Sequence, residues 1–278
     1  MYNFLIPSCI KNEIHERQLE RCINSIRQFH SENIIYIIND SEKDKDDIYK
    51  KLSEKYTNLI VIESLYKGAG ETLCFKFILE NEKNGCDENY VILHDSMILN
   101  IPLTNIEMIQ DLQFLWHFTN HIIHWDSIIE EQTEYNINNS IITHTDLLKH
   151  HIIRDYSFNE TFTNFCIDLL INQCKWCGCM GFCCITNKKS MQTINNTIPF
   201  IDIFLKLSNR NRRNRIVNES IFSIICHFIY QDTNFKNSYD GLYFDGYKCN
   251  NYAGIPCGFD NLQYLGRNNY IGKISFSR

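Results

Sequence analysis

Residues 33–39 read Asn-Ile-Ile-Tyr-Ile-Ile-Asn and run directly into the polar residues Asp40-Ser41-Glu42. A short, continuous apolar run that stops at polar residues is typical of a strand buried on both faces of a parallel sheet. Residues 2–6 predict a preceding strand, and apolar residues from Ile14 to Phe29 recur at helical spacing between the two. Together these segments predict a β-α-β unit.

The alternation continues along the first part of the chain. It consists of a charged helix at Asp44–Tyr56, a strand at Leu59–Glu63, a helix from the loop Lys67–Glu71 to Glu82, and a strand at Tyr90–Leu93. Alternating strands and helices predict an α/β fold with a mostly parallel central sheet flanked by helices. The alternation of strands and helices therefore predicts a Rossmann-like arrangement.

The second part of the chain is less regular. The apolar patterns predict strands at Phe114–Phe118 and Gly181–Ile185, helices at Thr161–Gln173 and Asn218–Tyr230, and mainly loop with short strands from Tyr239 onward. No Pro/Gly/Ser-rich linker interrupts the sequence, which predicts a single domain over 1–278, with halves at 1–105 and 106–278.

The composition narrows the class of protein. The 278 residues carry 27 Lys+Arg against 33 Asp+Glu, a formal charge of −6, which argues against a general nucleic-acid binder. With 44% hydrophobic residues, the chain can build a sizeable core, so disorder is not expected. The N-terminus lacks a basic region with a long apolar segment, which predicts no membrane span and a cytoplasmic protein, in the host cytoplasm if a virus encodes it.

Polar residues collect where the four predicted strands end. Ser8 and Asp40 follow strands one and two, the loop Lys67–Glu71 follows strand three, and His94-Asp95-Ser96 follows strand four. Ligands of open parallel sheets bind outside the carboxyl ends of the strands. The sequence therefore predicts a ligand crevice formed by these four positions.

Two common nucleotide-binding motifs are absent from the sequence. The turn after strand one, Pro7–Asn12, contains no glycine, whereas a dehydrogenase-type dinucleotide site needs Gly-x-Gly-x-x-Gly there. No Gly-x-x-x-x-Gly-Lys-Ser/Thr loop is present either, which argues against a P-loop NTPase. A different nucleotide-binding geometry is expected, in which strand-ending acidic residues contact a ribose, a base or a cation.

The order of these elements resembles the nucleotide-sugar-binding half of a glycosyltransferase of the GT-A fold, similar to viral and bacterial members. Four stretches carry the resemblance: Ile-Pro-Ser-Cys, Ile-Ile-Asn-Asp-Ser, Lys-Gly-Ala-Gly-Glu and Val-Ile-Leu-His-Asp-Ser-Met. The resemblance implies a nucleotide-diphospho-sugar donor, with a UDP-sugar favoured, and a glycan or other hydroxyl-bearing acceptor. Both inverting and retaining outcomes stay open.

The resemblance also implies roles for individual residues in the donor site. The implied nucleoside contacts are Pro7, Ser8 and Asp40, with Cys9 beside them, while Lys67 and Gly70 lie near the base or diphosphate. Asp95, flanked by His94 and Ser96, stands in the neighbourhood of the family's Asp-x-Asp motif, which binds a divalent cation. His94-Asp95-Ser96 has one carboxylate instead of two, so Mn²⁺ or Mg²⁺ would be held by Asp95 with His94 as a nitrogen ligand, held weakly, or absent.

In the second half the resemblance is confined to two short stretches. Trp176-Cys177-Gly178-Cys179-Met180-Gly181 is similar to a small-residue turn that lines the acceptor side, which implies acceptor contacts at Trp176, Gly178 and Gly181. Glu219, which opens an apolar helix, resembles the acidic position that serves as the catalytic base in inverting members.

Other interpretations of the same residues remain. The single carboxylate after strand four also fits a catalytically weak or inactive nucleotide-sugar-binding relative. The cysteines from Cys174 to Cys184 would fit a zinc-stabilised interaction module, although no second Cys-x-x-Cys pair completes it. With 13 Cys and no secretion signal, reduced thiols are expected. The basic residues from Arg210 to Arg215 are expected to be a solvated face, with a contact to the departing diphosphate as the alternative.

Overall fold

The computed structural model describes residues 2–42, 45–81, 88–100, 102–103, 112–115, 117–119, 144–171, 177–208, 212–230 and 271–273. Its strands are β1 (Tyr2–Ser8), β2 (Ile35–Asn39), β3 (Leu59–Glu63), β4 (Asn89–Ile92), β5 (Met97–Leu99), β6 (Leu112–Phe114), β7 (His117–Thr119), β8 (Cys177–Cys179), β9 (Cys184–Asn187) and β10 (Ile271–Lys273). Its helices are α1 (Glu13–Phe29), α2 (Asp46–Lys55), α3 (Thr72–Glu80), α4 (His144–Arg154), α5 (Glu160–Ile171), α6 (Lys188–Thr197), α7 (Phe200–Ser208) and α8 (Arg212–Ile229).

Six strands form the central sheet, in the order β3-β2-β1-β4-β9-β6. The strands β1 to β4 are mutually parallel, and β9 pairs antiparallel with both β4 and β6. Two small antiparallel pairs, β5 with β10 and β7 with β8, stand apart from it. The prediction of an α/β fold with a mostly parallel sheet is confirmed.

Alternate residues of the strands face two separate hydrophobic clusters. Ile6 and Ile37 pack with Ile23 of α1 and Leu52 of α2 on one side of the sheet. On the other side, Leu5 and Ile38 pack in a larger cluster built from α3 and the helices α4 to α8, where Phe75, Phe200 and Phe222 make ring contacts. Because successive strand residues point to opposite faces, the continuous apolar runs serve both clusters.

The first strand continues through Pro7 to Ser8, two residues beyond its predicted end. On the β2 side, Phe4 donates to Ile34 and Ser8 accepts from Asp40. On the β4 side the last bond runs from Leu93 N to Leu5 O, so the nitrogen of Pro7 falls where β4 has already ended. Proline lacks an N–H and is tolerated there because no ladder bond is lost. β1 and β4 therefore separate at Pro7.

The irregular second half differs most from the sequence predictions. The strand expected at Phe114–Phe118 is divided between β6 and β7, which belong to different sheets. The first part of the strand expected at Gly181–Ile185 is instead a 3-10 turn, Met180–Phe182, with positive φ of 58° at Gly181 and 51° at Phe182. That backbone conformation ends strand pairing, so β9 begins only at Cys184.

The helices of the second half are also more extensive than expected. α8 begins at Arg212, not at Asn218, and the apolar patterns of the sequence do not predict α4, α6 or α7. The segment from Tyr239 onward lies outside the described residues apart from β10. No helix within the described ranges is both long and apolar enough to cross a membrane.

Candidate functional site

The strand order creates a topological switch point between β1 and β4. From β1 the chain proceeds through α1 to β2 on one side, whereas β4 lies on the other side of β1 and is reached through α3. The two helices pack on opposite faces of the sheet. Connections that leave in opposite directions open a crevice at the carboxyl ends of the strands, and the separation of β1 from β4 at Pro7 lies at this point.

Asp40, directly after β2, holds the loop Ser64–Glu71 against the carboxyl edge of the sheet. Its side chain is 7% exposed. One carboxylate oxygen accepts from Gly68 N at 2.7 Å and the other accepts from Gly70 N at 3.0 Å. Both glycines have positive φ, 84° and 56°, which turns their N–H groups toward the carboxylate. Both carboxylate oxygens of Asp40 therefore accept hydrogen bonds from this loop. The contact between Asp40 and a nucleoside stays a prediction.

Lys67, in the same loop, is tied to the ends of β2 and β3. Its ammonium group donates to the carbonyl of Asn39 at 3.0 Å and forms an ion pair with Glu63. The side-chain amide of Asn39 donates to Glu63 at 2.7 Å and to Asp46 at 3.2 Å. The positive charge of Lys67 is thus partly neutralised by Glu63, next to the predicted donor site.

A buried hydroxyl cluster lies beneath the ends of β1 and β2. The phenol oxygen of Tyr49 lies 2.6 Å from Ser41 Oγ and 3.2 Å from both the carbonyl and hydroxyl oxygens of Ser8, which is 1% exposed. Ser41 Oγ also accepts from Ile10 N at 2.7 Å. Burial raises the pKa of Tyr49 to about 12, opposed by its hydrogen bonds and assisted slightly by the charge of Asp95. Ser8 therefore belongs to the floor of the crevice, whereas the neighbouring Cys9 is exposed.

His94, directly after β4, joins the two halves of the chain. Its Nε2 lies 2.9 Å from the carbonyl oxygen of Gly181 and 3.4 Å from Oε1 of Glu71, and the His94 and Glu71 side chains are each 15% exposed. A Cβ on Gly181 would lie 1.9 Å from His94 Nε2. The sequence predictions placed His94 and Gly181 on the donor and acceptor sides, and the structure brings them into contact.

Asp95 and Ser96, the next two residues, are half-buried. The negative charge of Asp95 contributes to raised pKa values at the buried Tyr49 and Cys22, where burial is the larger cause. The thiol of Cys22 donates to the carbonyl of His94 at 3.5 Å, so the turn that contains Asp95 begins against α1. The structure thus gathers Ser8, Asp40 and His94 with Asp95 at one edge of the sheet, as predicted.

On the predicted acceptor side, α8 packs against β8 and the 3-10 turn Met180–Phe182. Glu219 is half-buried and stands one helical turn before Phe222, whose ring lies 5.4 Å from that of Phe182. The adjacent Asn218 is fully buried and accepts a hydrogen bond from Tyr156. Gly178 lies in β8, while Trp176 falls outside the described residues.

The site offers few side chains that could bind a metal ion. In the part of the chain that the structure describes, no three His, Cys, Asp or Glu side chains are grouped so as to hold one. Nε2 of His94 donates to Gly181, so it is not a metal ligand in this arrangement. Asp95 with a diphosphate and water still fits Mg²⁺, which is commonly bound by one or two carboxylates together with substrate phosphates. Cys179, Cys183 and Cys184 are buried, and Cys174 lies outside the described residues.

Sequence reasoning missed Glu71 and Tyr49. In the sequence, Glu71 is the last residue of the loop Lys67–Glu71, and its one signal is an acidic residue directly before a helix. Tyr49 gave no signal at all, since a lone tyrosine on a charged helix is ordinary. Both became visible only through contacts with residues distant in sequence.

Comparisons with known proteins give distant likenesses. No protein-family model matches the chain, and no curated protein does. Three similar solved structures are S. aureus TarS (16% identity, 36% of this chain and 17% of that chain, TM-score 0.27), the apo form of mouse xyloside xylosyltransferase 1 (11%, 48% and 58%, 0.31), and apo-form glycosyltransferase GlyE of Streptococcus pneumoniae TIGR4 (13%, 80% and 63%, 0.30). The chain spans less than two thirds of each of them. Two of these three are named as a xylosyltransferase and a glycosyltransferase, at similarities too low to establish a family or an activity for this chain.

Proposed function

We propose that the chain is a glycosyltransferase with a GT-A-type arrangement, which transfers a sugar from a nucleotide-diphospho-sugar, a UDP-sugar in the first instance, to a hydroxyl group of a glycan or other acceptor. The observation that carries the proposal is the switch point between β1 and β4. At this carboxyl edge of the sheet Asp40 binds the loop Ser64–Glu71, Asp95 follows β4, and no glycine-rich phosphate loop follows β1.

The proposed donor site occupies the carboxyl edge of the sheet. Pro7 and Ser8 end β1, Cys9 follows them, and Asp40 accepts from Gly70 at the end of the neighbouring strand; the nucleoside is expected to lie against these residues. Lys67 lies along the same loop, and release from Glu63 would allow its ammonium group to meet a diphosphate. Since Ser8 is buried, its contribution is the shape of the floor.

A divalent cation, Mn²⁺ or Mg²⁺, is proposed to arrive with the donor diphosphate and to be held on the protein by Asp95. Such an ion stabilises the negative charge of the departing nucleoside diphosphate. His94 contributes through its bond to Gly181, which orders the end of β4 next to Asp95 and Ser96. The cation is therefore proposed to depend on one carboxylate.

The acceptor is proposed to lie against the second half of the chain, near Gly178 and Gly181, with Trp176 as a further contact. Glu219 is the base that the resemblance implies. Its carboxylate would take the proton of the attacking hydroxyl while the anomeric carbon exchanges its bond to the diphosphate for a bond to the acceptor oxygen. Glu219 is half-buried on α8, next to the 3-10 turn, which makes it one of two carboxylates to be compared for this role. The cytoplasmic location expected from the sequence stays an expectation.

A second candidate is a nucleotide-sugar-binding relative that does not catalyse transfer. The single carboxylate of His94-Asp95-Ser96 favours it, because a family metal site with one ligand missing binds its cation less tightly. It differs from the enzyme in a measurable way: it would bind the donor and would neither transfer nor hydrolyse it.

Thermal unfolding against a panel of nucleoside diphosphates and nucleotide-sugars, each with Mn²⁺ and with EDTA, tests the donor site. A ligand that binds only the folded state raises Tm. At a ligand concentration a hundredfold above Kd, the gain in unfolding free energy is about 2.7 kcal/mol. We expect a metal-dependent rise for one donor, and slow release of its nucleoside diphosphate by hydrolysis. A rise without any release would favour the non-catalytic relative, and no rise with any donor would reject both.

A further inference from the structure

We propose that Glu71 is the carboxylate that accepts the proton of the attacking hydroxyl, with His94 and the turn at Gly181 as its positioning groups; this inference rests on the proposed glycosyl transfer. Glu71 lies directly before α3, and its carboxylate reaches the end of β4, where Oε1 is 3.4 Å from His94 Nε2. This carboxylate would take the role that the resemblance assigns to Glu219.

The backbone around Glu71 is fixed from two directions. On the preceding side, Asp40 accepts from Gly68 N and Gly70 N, so the loop is bonded to the end of β2 up to the residue before Glu71. On the following side, Leu73 N donates to Gly70 O and Cys74 N donates to Glu71 O, both at 3.1 Å, as α3 begins. A fixed backbone favours a general base, because the base must lie within hydrogen-bond distance of the proton that it removes.

The side chain of Glu71 is oriented by His94. The Gly181 carbonyl can only accept, so the proton of the imidazole resides on Nε2, and the same N–H lies 3.4 Å from Oε1 of Glu71. The Gly181 carbonyl and the Glu71 carboxylate therefore lie around the same imidazole nitrogen, so the position that Gly181 gives to His94 also limits where the Glu71 carboxylate can lie.

Glu71 also lies where donor and acceptor would meet. Its loop crosses the carboxyl edge of the sheet from β3 toward β4 in the donor half, while Gly181 belongs to the half proposed to bind the acceptor. The remaining exposure of 15% leaves the carboxylate accessible but largely removed from solvent.

The proposed step is a single displacement. The acceptor oxygen forms a bond to the anomeric carbon while the bond from that carbon to the diphosphate oxygen breaks, and the electron pair leaves on the nucleoside diphosphate. The proton of the acceptor hydroxyl passes to the carboxylate of Glu71, which later returns it to water. Attack on the face opposite the leaving group inverts the anomeric configuration.

Donor hydrolysis tests the inference without knowledge of the acceptor, because water serves as the attacking hydroxyl. The donor is the nucleotide-sugar that raises Tm of the wild-type protein, and the variants are Glu71→Gln, Glu71→Ala and Glu219→Gln. Glu80→Gln, at the other end of α3 with an exposed side chain, is the matched control. We expect Glu71→Gln to lower kcat roughly 100-fold or more with little change in KM, since general base catalysis contributes about 10²–10⁴-fold.

Formate separates a chemical role from a structural one. With Glu71→Ala, added formate should restore part of the lost turnover, because a small carboxylate can occupy the vacated space; a merely structural role would not respond. Turnover by Glu71→Gln within about threefold of the Glu80→Gln control would overturn the inference, as would loss of turnover confined to Glu219→Gln. Wild-type protein that neither binds nor hydrolyses any donor would instead reject the proposed function, and the inference with it.

Discussion

The imidazole of His94 lies 2.9 Å from the carbonyl oxygen of Gly181, although 87 residues separate them in the chain. The contact joins the end of β4 to the 3-10 turn before β9, and it exists only because position 181 carries no side chain. The turn thereby holds the imidazole next to Glu71. The order of the crevice therefore depends on one glycine in the half of the chain that is less regular in sequence.

Replacement of that glycine is expected to be costly. In Gly181→Ala, the new Cβ would lie 1.9 Å from His94 Nε2, and φ of +58° is unfavourable for alanine. We expect a loss of about 1–3 kcal/mol in the free energy of unfolding, measured by urea denaturation, from backbone strain and displacement of the ring. In a double-mutant cycle, His94→Ala should relieve the clash but not the strain at φ. Additive effects of the two changes would contradict the contact.

Asp40 is expected to control the order of the loop Ser64–Glu71. In Asp40→Asn, one carboxylate oxygen becomes an NH₂ group, which cannot accept from Gly68 N or Gly70 N. The unpaired N–H should cost about 1–3 kcal/mol in unfolding free energy and should speed amide exchange at Gly68 and Gly70. The control is Asp46→Asn, which touches only the side-chain amide of Asn39 in this region. Unchanged exchange at both glycines would disprove the clamp.

Tyr49 is expected to stabilise the protein through its hydroxyl group. Tyr49→Phe removes the oxygen that lies between Ser41 and Ser8, leaving two buried hydroxyls with fewer partners. A loss of about 1–2 kcal/mol is expected by chemical denaturation. Because burial raises its pKa to about 12, Tyr49 stays neutral at ordinary pH, so the loss should not vary between pH 6 and pH 9. Tyr56→Phe, at a more exposed hydrogen-bonded tyrosine, provides the comparison.

The acid sensitivity of the second half is expected to depend on Asp155. Hydrogen bonds from Arg154 and then from His151 lower the pKa of Asp155 to about 2 from its usual 3.8, against the opposing effect of burial. Because the folded-state pKa is depressed, the stabilisation is complete above the unfolded value of 3.8 and is lost as the pH falls through about 2.

Asp155→Asn should therefore destabilise the protein by roughly 1 kcal/mol at pH 7, and the difference from wild type should shrink as the pH falls from about 4 to about 2. The measurement is the free energy of unfolding by denaturant at each pH. Asp202→Asn, at a largely exposed carboxylate 3.7 Å from Lys76, is the control and should show a smaller effect. A difference that grows at low pH would contradict the assigned direction.

The sequence by itself determined the first half of the fold and the edge of the sheet at which the candidate site lies. The run of apolar residues at 33–39 and its counterparts at β1, β3 and β4 are local signals, because a strand buried on both faces must be apolar throughout. Once the strands are parallel, their carboxyl ends share one edge, so Ser8, Asp40 and His94 follow to that edge without further information.

Tertiary structure alone decided what those residues do there. Asp40 meets Gly68 and Gly70, and His94 meets Gly181 and Glu71, because loop paths bring together segments that no periodicity relates. The insertion of β9 antiparallel between β4 and β6 likewise depends on long-range pairing, not on local pattern. Contacts between side chains of distant segments are decided by packing and by the need of buried polar groups for hydrogen-bond partners. Neither can be predicted from the local pattern of a single sequence.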